Sequence, residues 1–482
     1  MQLSEYIKYD GLGIADLIRS KEIKRDEAIA CAFEAADLLN PKINTIIELF
    51  PEPLAGNNST DAPFYGVPFL IKDLGLHATG VLNEMGSRLT KGLRTPHDTD
   101  LMKKFRESGL RTIGRASTPE FGYCATTEPI VNGPSCNPWD LTRMPGGSSG
   151  ATAASVAAGI VPLAHANDGG GSIRIPASCC GLLGLKPTRG RVPNGPDAAE
   201  PLSGLAVEFA VTKTVRDAAA LLDAVHGAGV GDPFEIAAPS ESYSSSIEKE
   251  PGQLKIAFMT EPWSGAEQDE QVKQACINTA AQCAYLGHVV TQARPALDWQ
   301  AFLDATIILW TANITVIVDY AAIMTGRKID ESTLESTTLA CYRHGKELKA
   351  DQFLQAQAVA NNICRTVGHF FQEYDLLLTP TTTRAPLLLG EINANDPTLD
   401  AVAWSKHLFD YCPYTPVFNT TGQPAISIPL HRTSDNLPLG MQFAGRYGDE
   451  KTLLQLARQF EQAYPWPHTA PLINELIGGG EN

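Results

Sequence analysis

The stretch Asn-Asp-Gly-Gly-Gly-Ser-Ile-Arg-Ile-Pro occupies residues 167–176, where three consecutive glycines precede a serine. Each glycine inside a helix or strand weakens that element by roughly 1 kcal/mol relative to alanine. A loop that brings bare backbone N–H groups against a ligand gains from glycine, because no side chain blocks the approach. The stretch therefore predicts a loop at which a bound molecule meets the backbone.

The segments around this loop predict an α/β fold. Apolar residues at helical spacing predict a helix over 26–39, and a strand–helix–strand succession over 254–291 is typical of a βαβ unit. Strands and helices interleave along the chain, which indicates the α/β class. Short apolar runs predict further strands over 67–71, 112–114, 160–166, 375–378 and 425–430.

Composition and charge narrow the possible partners. The 482 residues carry a net charge of −16, which argues against nucleic acid or an anionic membrane as the main partner. The apolar run between Asp304 and Asp319 is shorter than the ~20 residues that a bilayer span needs.

The cysteines and the N-terminus predict a cytoplasmic protein with reduced thiols. The chain has ten cysteines without C-x-x-C spacing, and its N-terminus has no apolar segment. We find no Cys/His cluster of the zinc type and expect neither metal nor cofactor.

Ser172, which ends the glycine run, is a candidate nucleophile. A serine hydroxyl attacks a carbonyl once a base takes its proton, and the developing oxyanion needs N–H donors worth roughly 3–4 kcal/mol each. We interpret Gly169, Gly170 and Gly171 as an oxyanion hole beside Ser172. The alternative interpretation is that Ser172 only caps the following helix.

Lys72 is the candidate base, because no histidine stands in a recognisable triad motif. His165 lies inside an apolar run, where a core or supporting role is expected. Lys72 follows five apolar residues, and burial lowers a lysine pKa from about 10.4 by up to several units. A lysine alone at a strand end is most often solvated.

A second loop, Gly-Gly-Ser-Ser-Gly at residues 146–150, could connect the lysine to the nucleophile. Neutral Lys72 would take a proton from Ser148, and Ser148 would take one from Ser172. Ser149 is the alternative bridging serine, and we favour Ser148.

Together these segments resemble the amidase signature family. The similarity is carried by the loops at 146–150 and 168–176, by Gly-Val-Pro and Lys-Asp within 66–73, and by Cys-Gly-Leu-Leu-Gly-Leu-Lys-Pro-Thr at 180–188. The resemblance extends over most of the chain through further motifs, namely Thr118-Pro119-Glu120, Asn137-Pro138-Trp139, Leu378-Thr379-Pro380-Thr381 and Asn419 through Ala425.

The resemblance implies a Ser-cisSer-Lys triad. Ser172 would form the acyl-enzyme, Ser148 would bridge after a cis peptide bond, and Lys72 would be the base and later the proton source for the leaving amine. Asp168 would hold the loop by hydrogen bonds, with Arg174 and Ser149 in supporting roles.

The resemblance also implies a fold and an organisation. We expect one large mixed central β-sheet covered by helices on both faces, in a single domain spanning 1–482 with a variable insertion. The parts are an N-terminal helical segment (1–63), a catalytic core (64–230), a variable substrate-side region (231–400) and the C-terminal part of the core (401–482).

Two departures from the family pattern stand out. Ala151 and Thr152 follow Gly150 where the family has Gly-Ser, and Asn167 stands where it has Thr. We expect neither departure to contact the triad. The run from Ala164 to Asp168 is similar to the branch that contains 6-aminohexanoate cyclic dimer (nylon oligomer) hydrolases.

The resulting function hypothesis is hydrolysis of small apolar, aryl or cyclic carboxylic amides, with a homodimer possible. Carbamate or ester hydrolysis, and a role as a glutamyl-tRNA amidotransferase A-type subunit, remain alternatives. A nucleotide-binding module or an inactive scaffold belongs to another class, but no phosphate-binding glycine motif occurs at these loops. We expect Trp310 in a packed helix rather than in a pocket wall, and apolar substrates if it does line the pocket.

Overall fold

The computed structural model describes residues 1–478, and its strands form one mixed sheet of 11 strands within that range. Their order across the sheet is β1-β3-β2-β4-β6-β5-β10-β11-β9-β7-β8. The strands are β1 Ile46–Leu54, β2 Pro68–Lys72, β3 Arg111–Ala116, β4 Leu163–Asp168, β5 Leu183–Lys186, β6 Val207–Thr212, β7 Lys255–Phe258, β8 Val289–Gln292, β9 Leu376–Pro380, β10 Ala425–Arg432 and β11 Pro438–Gly445.

Helices connect most of these strands, and a short 3₁₀ turn lies at Glu120–Gly122. The α-helices are α1 Leu3–Tyr6, α2 Gly11–Arg19, α3 Arg25–Ile43, α4 Asp100–Glu107, α5 Gly150–Ala157, α6 Arg174–Cys180, α7 Val215–Val225, α8 Tyr243–Ser246, α9 Glu270–Tyr285, α10 Trp299–Thr325, α11 Ser336–Glu347, α12 Ala350–Glu373, α13 Ala401–Tyr411, α14 Pro416–Thr421, α15 Glu450–Ala463 and α16 Pro471–Gly478.

The sheet mixes parallel and antiparallel pairs. Strand β2 runs parallel to β3 and β4, whereas β10 runs antiparallel to β5 and β11. Every residue of β2, β4 and β9 is buried, so both faces of this part of the sheet are covered. The predicted class, a large mixed sheet with helices on both faces, is confirmed.

The predicted elements are present, with shifted ends. The helix predicted over 26–39 is part of α3, and β7 and β8 are parallel neighbours joined through α9, as the βαβ prediction requires. The strand predicted over 160–166 begins only at Leu163, after Pro162, and continues to Asp168. Strand β4 therefore leads directly into the glycine loop.

The apolar run between Asp304 and Asp319 belongs to a helix longer than expected. Helix α10 has 27 residues and is long and apolar enough, by length and composition, to cross a membrane. However, 61% of its most apolar 18-residue window is buried in the protein, as in a core helix. Both acidic residues lie within the helix, where Asp304 accepts from Gln300 and Asp319 accepts from the Tyr342 hydroxyl.

The region 231–400, predicted as a variable substrate-side region, contributes β7, β8 and β9 to the common sheet. It also supplies α10, α11 and α12, and α10 packs against both of the others. The boundaries at 63, 230 and 400 stay predictions.

The end of β2 is fixed by Arg115 on β3. This buried guanidinium donates to Asp73 Oδ1 at 2.7 Å, to Glu48 Oε2 at 2.6 Å and to Glu84 Oε2 at 3.2 Å. Burial raises the pKa of Asp73 to about 6, and the Arg115 charge opposes that rise. Because Asp73 follows Lys72 directly, Arg115 also fixes where the lysine stem starts.

Replacing this guanidinium should destabilise the protein strongly. Arg115→Met leaves three carboxylates without their common cation, and breaking a buried ion pair typically costs ~3–5 kcal/mol. Urea unfolding should show a loss of this order. The matched control is Arg343→Met, which removes an exposed pair with Glu331 and should change stability much less. Equal losses in the two variants would contradict the role given to Arg115.

Candidate active site

The glycine loop is folded around the Asp168 carboxylate at the end of β4. Asp168 is fully buried; its Oδ1 accepts from the Gly171 N–H at 2.7 Å and its Oδ2 from the Ile173 N–H at 3.1 Å. Burial alone would raise the pKa of Asp168, but the neighbouring Arg174 guanidinium holds it well below its usual range. The loop therefore encloses a permanent negative charge.

Arg174, the first residue of α6, neutralises that charge. Its Nε and Nη2 donate to the two Asp168 oxygens at 2.9 and 2.8 Å, an arrangement that suits the planar guanidinium. It also donates to Asn419 Oδ1 at 2.6 Å, to Gln442 Oε1 at 2.6 Å and to the Thr415 carbonyl at 2.8 Å. Two of the three predicted supporting residues thus form a buried pair anchored to the C-terminal part of the chain. Gln442 carried no sequence signal.

The three glycines serve different purposes. Gly171 has a φ of +136°, and a Cβ there would lie 2.4 Å from Thr415 Oγ1. Its N–H already donates to Asp168, so the prediction that Gly171 is an oxyanion donor is corrected: the position needs glycine for its conformation and for space. Within residues 1–478, the N–H groups of Gly169 and Gly170 have no hydrogen-bond acceptor.

Lys72 lies in the same site because β2 and β4 are parallel neighbours, so their carboxyl ends meet at one edge of the sheet. The lysine is fully buried. Its Nζ lies 2.7 Å from Ser148 Oγ, 3.0 Å from Ser149 Oγ and 2.6 Å from Asn167 Oδ1. Burial lowers the pKa of Lys72 to about 7, although the charges of Glu208 and Asp168 act in the opposite direction. A large neutral fraction is therefore present near pH 7.

Asn167 was expected to lie away from the triad, and this expectation is wrong. Leu70 on β2 pairs with Ala164 on β4, which places Asn167 level with the end of the Lys72 side chain. Its Nδ2 donates to the Leu74 carbonyl at 2.9 Å, so Oδ1 is turned towards the amine. Sequence alone could not have shown this, because the strand register was unknown.

The two adjacent serines differ in their partners. The peptide bond between Gly147 and Ser148 is cis. Ser149 Oγ donates to the Asn167 carbonyl at 3.2 Å, so its proton is already used, whereas Ser148 Oγ contacts the lysine amine. The structure therefore brings Lys72 and Ser148 together directly. Within residues 1–478 no hydrogen bond joins the hydroxyls of Ser148 and Ser172.

His165 lies beneath Lys72. Its Nδ1 accepts from the Lys72 backbone N–H at 3.3 Å, so Nε2 carries the proton towards Glu208 Oε2 at 2.6 Å. This fully buried histidine holds the end of β2 through the Lys72 backbone, in keeping with the supporting role expected for it.

Ser172 lines a small apolar cavity of about 30 Å³. Trp310 of α10 forms one wall, stacked on Tyr123 with ring centroids 4.3 Å apart and planes 12° apart. Leu408 and Phe409 of α13 line it as well. The helix around Trp310 therefore packs in the core and also forms a pocket wall, which corrects the expectation of packing alone. No charged side chain among the described residues lines this cavity.

Comparison with known proteins agrees with this geometry. The family model described as Amidase matches residues 27–454. The chain belongs to the amidase family. The amidase is 36% identical over 475 residues to the 6-aminohexanoate-cyclic-dimer hydrolase of Paenarthrobacter ureafaciens, with 96% of each chain covered. It is 33% identical to a putative amidase of Mycobacterium tuberculosis, with 97% of each covered.

Solved structures show the same fold. A 6-aminohexanoate cyclic dimer hydrolase complexed with substrate matches with a TM-score of 0.89 and 34% identity, covering 97% of this chain and 100% of that one. The A-type chain of the glutamyl-tRNA(Gln) amidotransferase from Thermotoga maritima matches with a TM-score of 0.76 and 26% identity, covering 98% and 97%. The amidase is therefore an amide-hydrolysing enzyme of the amidase signature group.

The pH dependence of the amidase should report Lys72. Only the neutral amine can accept a proton, so kcat/KM should rise with pH through an apparent pKa of about 7. Glu208→Gln keeps a partner for His165 but removes a negative charge that favours the ammonium form, so the rise should move to lower pH.

The matched control for this pH profile is Glu248→Gln, at an exposed position, which should leave the profile in place. A profile unchanged in Glu208→Gln, or displaced to higher pH, would contradict the electrostatic account of Lys72.

Proposed function

We propose that the amidase hydrolyses small uncharged carboxylic amides through an acyl-enzyme on Ser172, with Lys72 as base and Ser148 as relay. The observation that carries this proposal is the buried Lys72 amine, 2.7 Å from Ser148 Oγ, beside an apolar cavity that Ser172 lines. A lysine buried without a carboxylate partner has little structural value, because its charged form is disfavoured there.

The first half of the reaction acylates the enzyme. Ser172 Oγ attacks the amide carbon, its proton passes to Ser148 Oγ, and the Ser148 proton passes to Lys72. The oxyanion accepts hydrogen bonds from the free N–H groups of Gly169 and Gly170 and from the Ser172 N–H. When the C–N bond breaks, the Lys72 ammonium returns a proton through Ser148 to the leaving amine.

The second half uses water in place of the amine. Water attacks the acyl carbon, passes its proton along the same relay, and the acid leaves as Ser172 Oγ is restored. In both halves the Ser172 hydroxyl must turn towards Ser148, since the two do not form a hydrogen bond in this structure. Ser149 is less suited to the relay, because its proton is held by the Asn167 carbonyl.

The cavity favours uncharged substrates over glutamine. An amino acid carries an ammonium and a carboxylate, and burying either charge without a partner is costly. No charged side chain lines the described cavity, so an apolar, aryl or cyclic amide fits better than the substrate of a glutamyl-tRNA amidotransferase. The similar cyclic-dimer hydrolases point to a cyclic amide. Carbamates and esters remain alternatives with the same acyl chemistry.

The glycine loop is poorly suited to a nucleotide. Phosphate-binding loops present free N–H groups to an anion. Here Asp168 takes the N–H groups of Gly171 and Ile173, so these donors are not available to a phosphate. The inactive-scaffold alternative does not account for a buried lysine amine whose pKa is lowered to about 7 beside a serine.

One polar group of Trp310, a residue of the cavity wall, lacks a partner. The indole Nε1 of Trp310 is buried without a hydrogen-bond acceptor among residues 1–478. An unpaired buried donor is unfavourable, and a ligand that supplies an acceptor removes the penalty. We therefore infer a substrate with a second acceptor, such as the distant carbonyl of a cyclic diamide.

The cellular compartment of the enzyme stays a prediction. All ten cysteines are free thiols, and eight of them are buried, which favours a reducing compartment such as the cytoplasm. A homodimer is likewise a prediction.

A fluorophosphonate probe should label Ser172. Ser172→Ala should abolish labelling, and Lys72→Ala and Ser148→Ala should slow it by ~10²–10⁴-fold, the typical contribution of a positioned base. Ser149→Ala is the matched control and should retain most of the rate. Intact mass and peptide mapping would measure the adduct. A folded wild-type protein without adduct, or an adduct elsewhere, would refute the mechanism.

Trp310→Phe should distinguish substrates with one carbonyl from those with two. Phenylalanine keeps the stacking on Tyr123 but removes the indole donor. A neutral hydrogen bond contributes ~1 kcal/mol, so kcat/KM for the 6-aminohexanoate cyclic dimer should fall about fivefold. A simple anilide with a single carbonyl should be affected little. Equal losses for both substrates would refute the assigned contact.

A further inference from the structure

Two histidines and an aspartate meet at a surface site that does not line the cavity. His97 Nε2 lies 3.0 and 3.1 Å from the two Asp197 oxygens, and His77 Nε2 lies 3.1 Å from Asp197 Oδ2. One ligand atom from each residue lies within 4.8 Å of the others. The residues come from distant parts of the chain, so no spacing pattern pointed to them.

The tautomer of His77 leaves Nε2 close to the carboxylate but without a hydrogen bond. Its Nδ1 lies 3.1 Å from the Gly75 carbonyl, which can only accept, so Nδ1 carries the proton. In the neutral ring Nε2 then has no proton. This atom is buried and has no hydrogen bond within residues 1–478, although Asp197 Oδ2 is close. A cation bound by Nε2 and by the carboxylate would give both groups a partner.

The three side chains are held by the backbone around them. The Thr99 N–H donates to the His77 carbonyl at 3.1 Å, and the Asp100 N–H donates to the Gly195 carbonyl at 2.9 Å. These bonds join the segments that carry the three side chains. The site is therefore organised without the ion.

The donor set and its spacing fit a divalent transition metal. Imidazole nitrogens with a carboxylate oxygen are preferred ligands of Zn²⁺ and related ions. Atoms bound tetrahedrally at ~2.0–2.1 Å from Zn²⁺ lie roughly 3.3 Å apart, near the observed nitrogen–oxygen distances. His97 and Asp197 have side-chain exposures of 41% and 49%, so water can complete the coordination. The Nδ1 contact of His77 is the outer hydrogen bond that metal-binding histidines usually make.

We propose that His77, His97 and Asp197 form a binding site for a divalent transition-metal ion of the Zn²⁺ type. The ion ties the segment after β2 to the loop between β5 and β6. It stabilises the fold near Leu74, whose carbonyl anchors Asn167 beside the lysine. The proposal does not depend on the hydrolytic mechanism.

Calorimetric titration of the untagged, EDTA-treated full chain with Zn²⁺ tests this site. We expect saturable binding of one equivalent and a rise in Tm. His97→Ala and Asp197→Asn should each weaken binding at least tenfold, and Co²⁺ should give an absorption spectrum of bound metal that both variants lose. The matched control is His369→Ala, which removes an exposed histidine on α12 and should bind like the wild type.

Two results would overturn the proposal: no saturable Zn²⁺ binding to the wild type, or wild-type affinity in both ligand variants. Because His97 and Asp197 are partly exposed, both variants should fold, and their melting curves without metal check this. Fluorophosphonate labelling reports the hydrolytic site separately.

Discussion

The buried pair of Asp168 and Arg174 is the interaction on which the site depends. Burying two charges costs several kcal/mol per ion unless hydrogen bonds satisfy both groups. Here the remaining donors and acceptors are satisfied by Asn419, Gln442 and Thr415, which come from α14, from β11 and from the residue before α14. The glycine loop therefore takes its shape only when the C-terminal strands are in place. The glycine loop that carries Ser172 is thus tied to the C-terminal part of the sheet through one buried pair.

Lys72 is buried like Asp168, but it has no counterion in direct contact in the part of the chain that the structure describes. Asp168 has an intimate counterion and stays ionised, whereas Lys72 is surrounded by neutral oxygen acceptors and has a pKa near neutrality. The two groups end neighbouring strands, so one local environment holds both a fixed charge and a titrating amine. A carboxylate in direct contact with Lys72 would keep it protonated and prevent it from acting as a base.

The sequence predicted most of the elements, and it predicted that Lys72 and the two glycine loops lie close together, because the signals for them are local. The glycines at 169–171 predict a loop, and the apolar run before Lys72 predicts a buried lysine, each from a few neighbouring residues. The α/β alternation is visible in the hydrophobic pattern. What escaped prediction depends on pairing between distant strands. The contact of Asn167 with Lys72 follows from strand register, the orientation of the Gly171 N–H follows from a three-dimensional turn, and Gln442 acts from across the sheet. Trp310 was assigned to packing because a helix stripe does not reveal which of its residues borders a cavity.

The cavity wall comes partly from α10, and this has a consequence for evolution. Trp310 belongs to a helix outside the β4–α6 segment and stacks on Tyr123, whereas the ion pair is held by Thr415, Asn419 and Gln442. Mutations in that wall can therefore reshape what the enzyme accepts while the reacting atoms keep their positions. Selection can thus act on substrate range and on chemistry separately, which allows one scaffold to diversify into enzymes for many different amides.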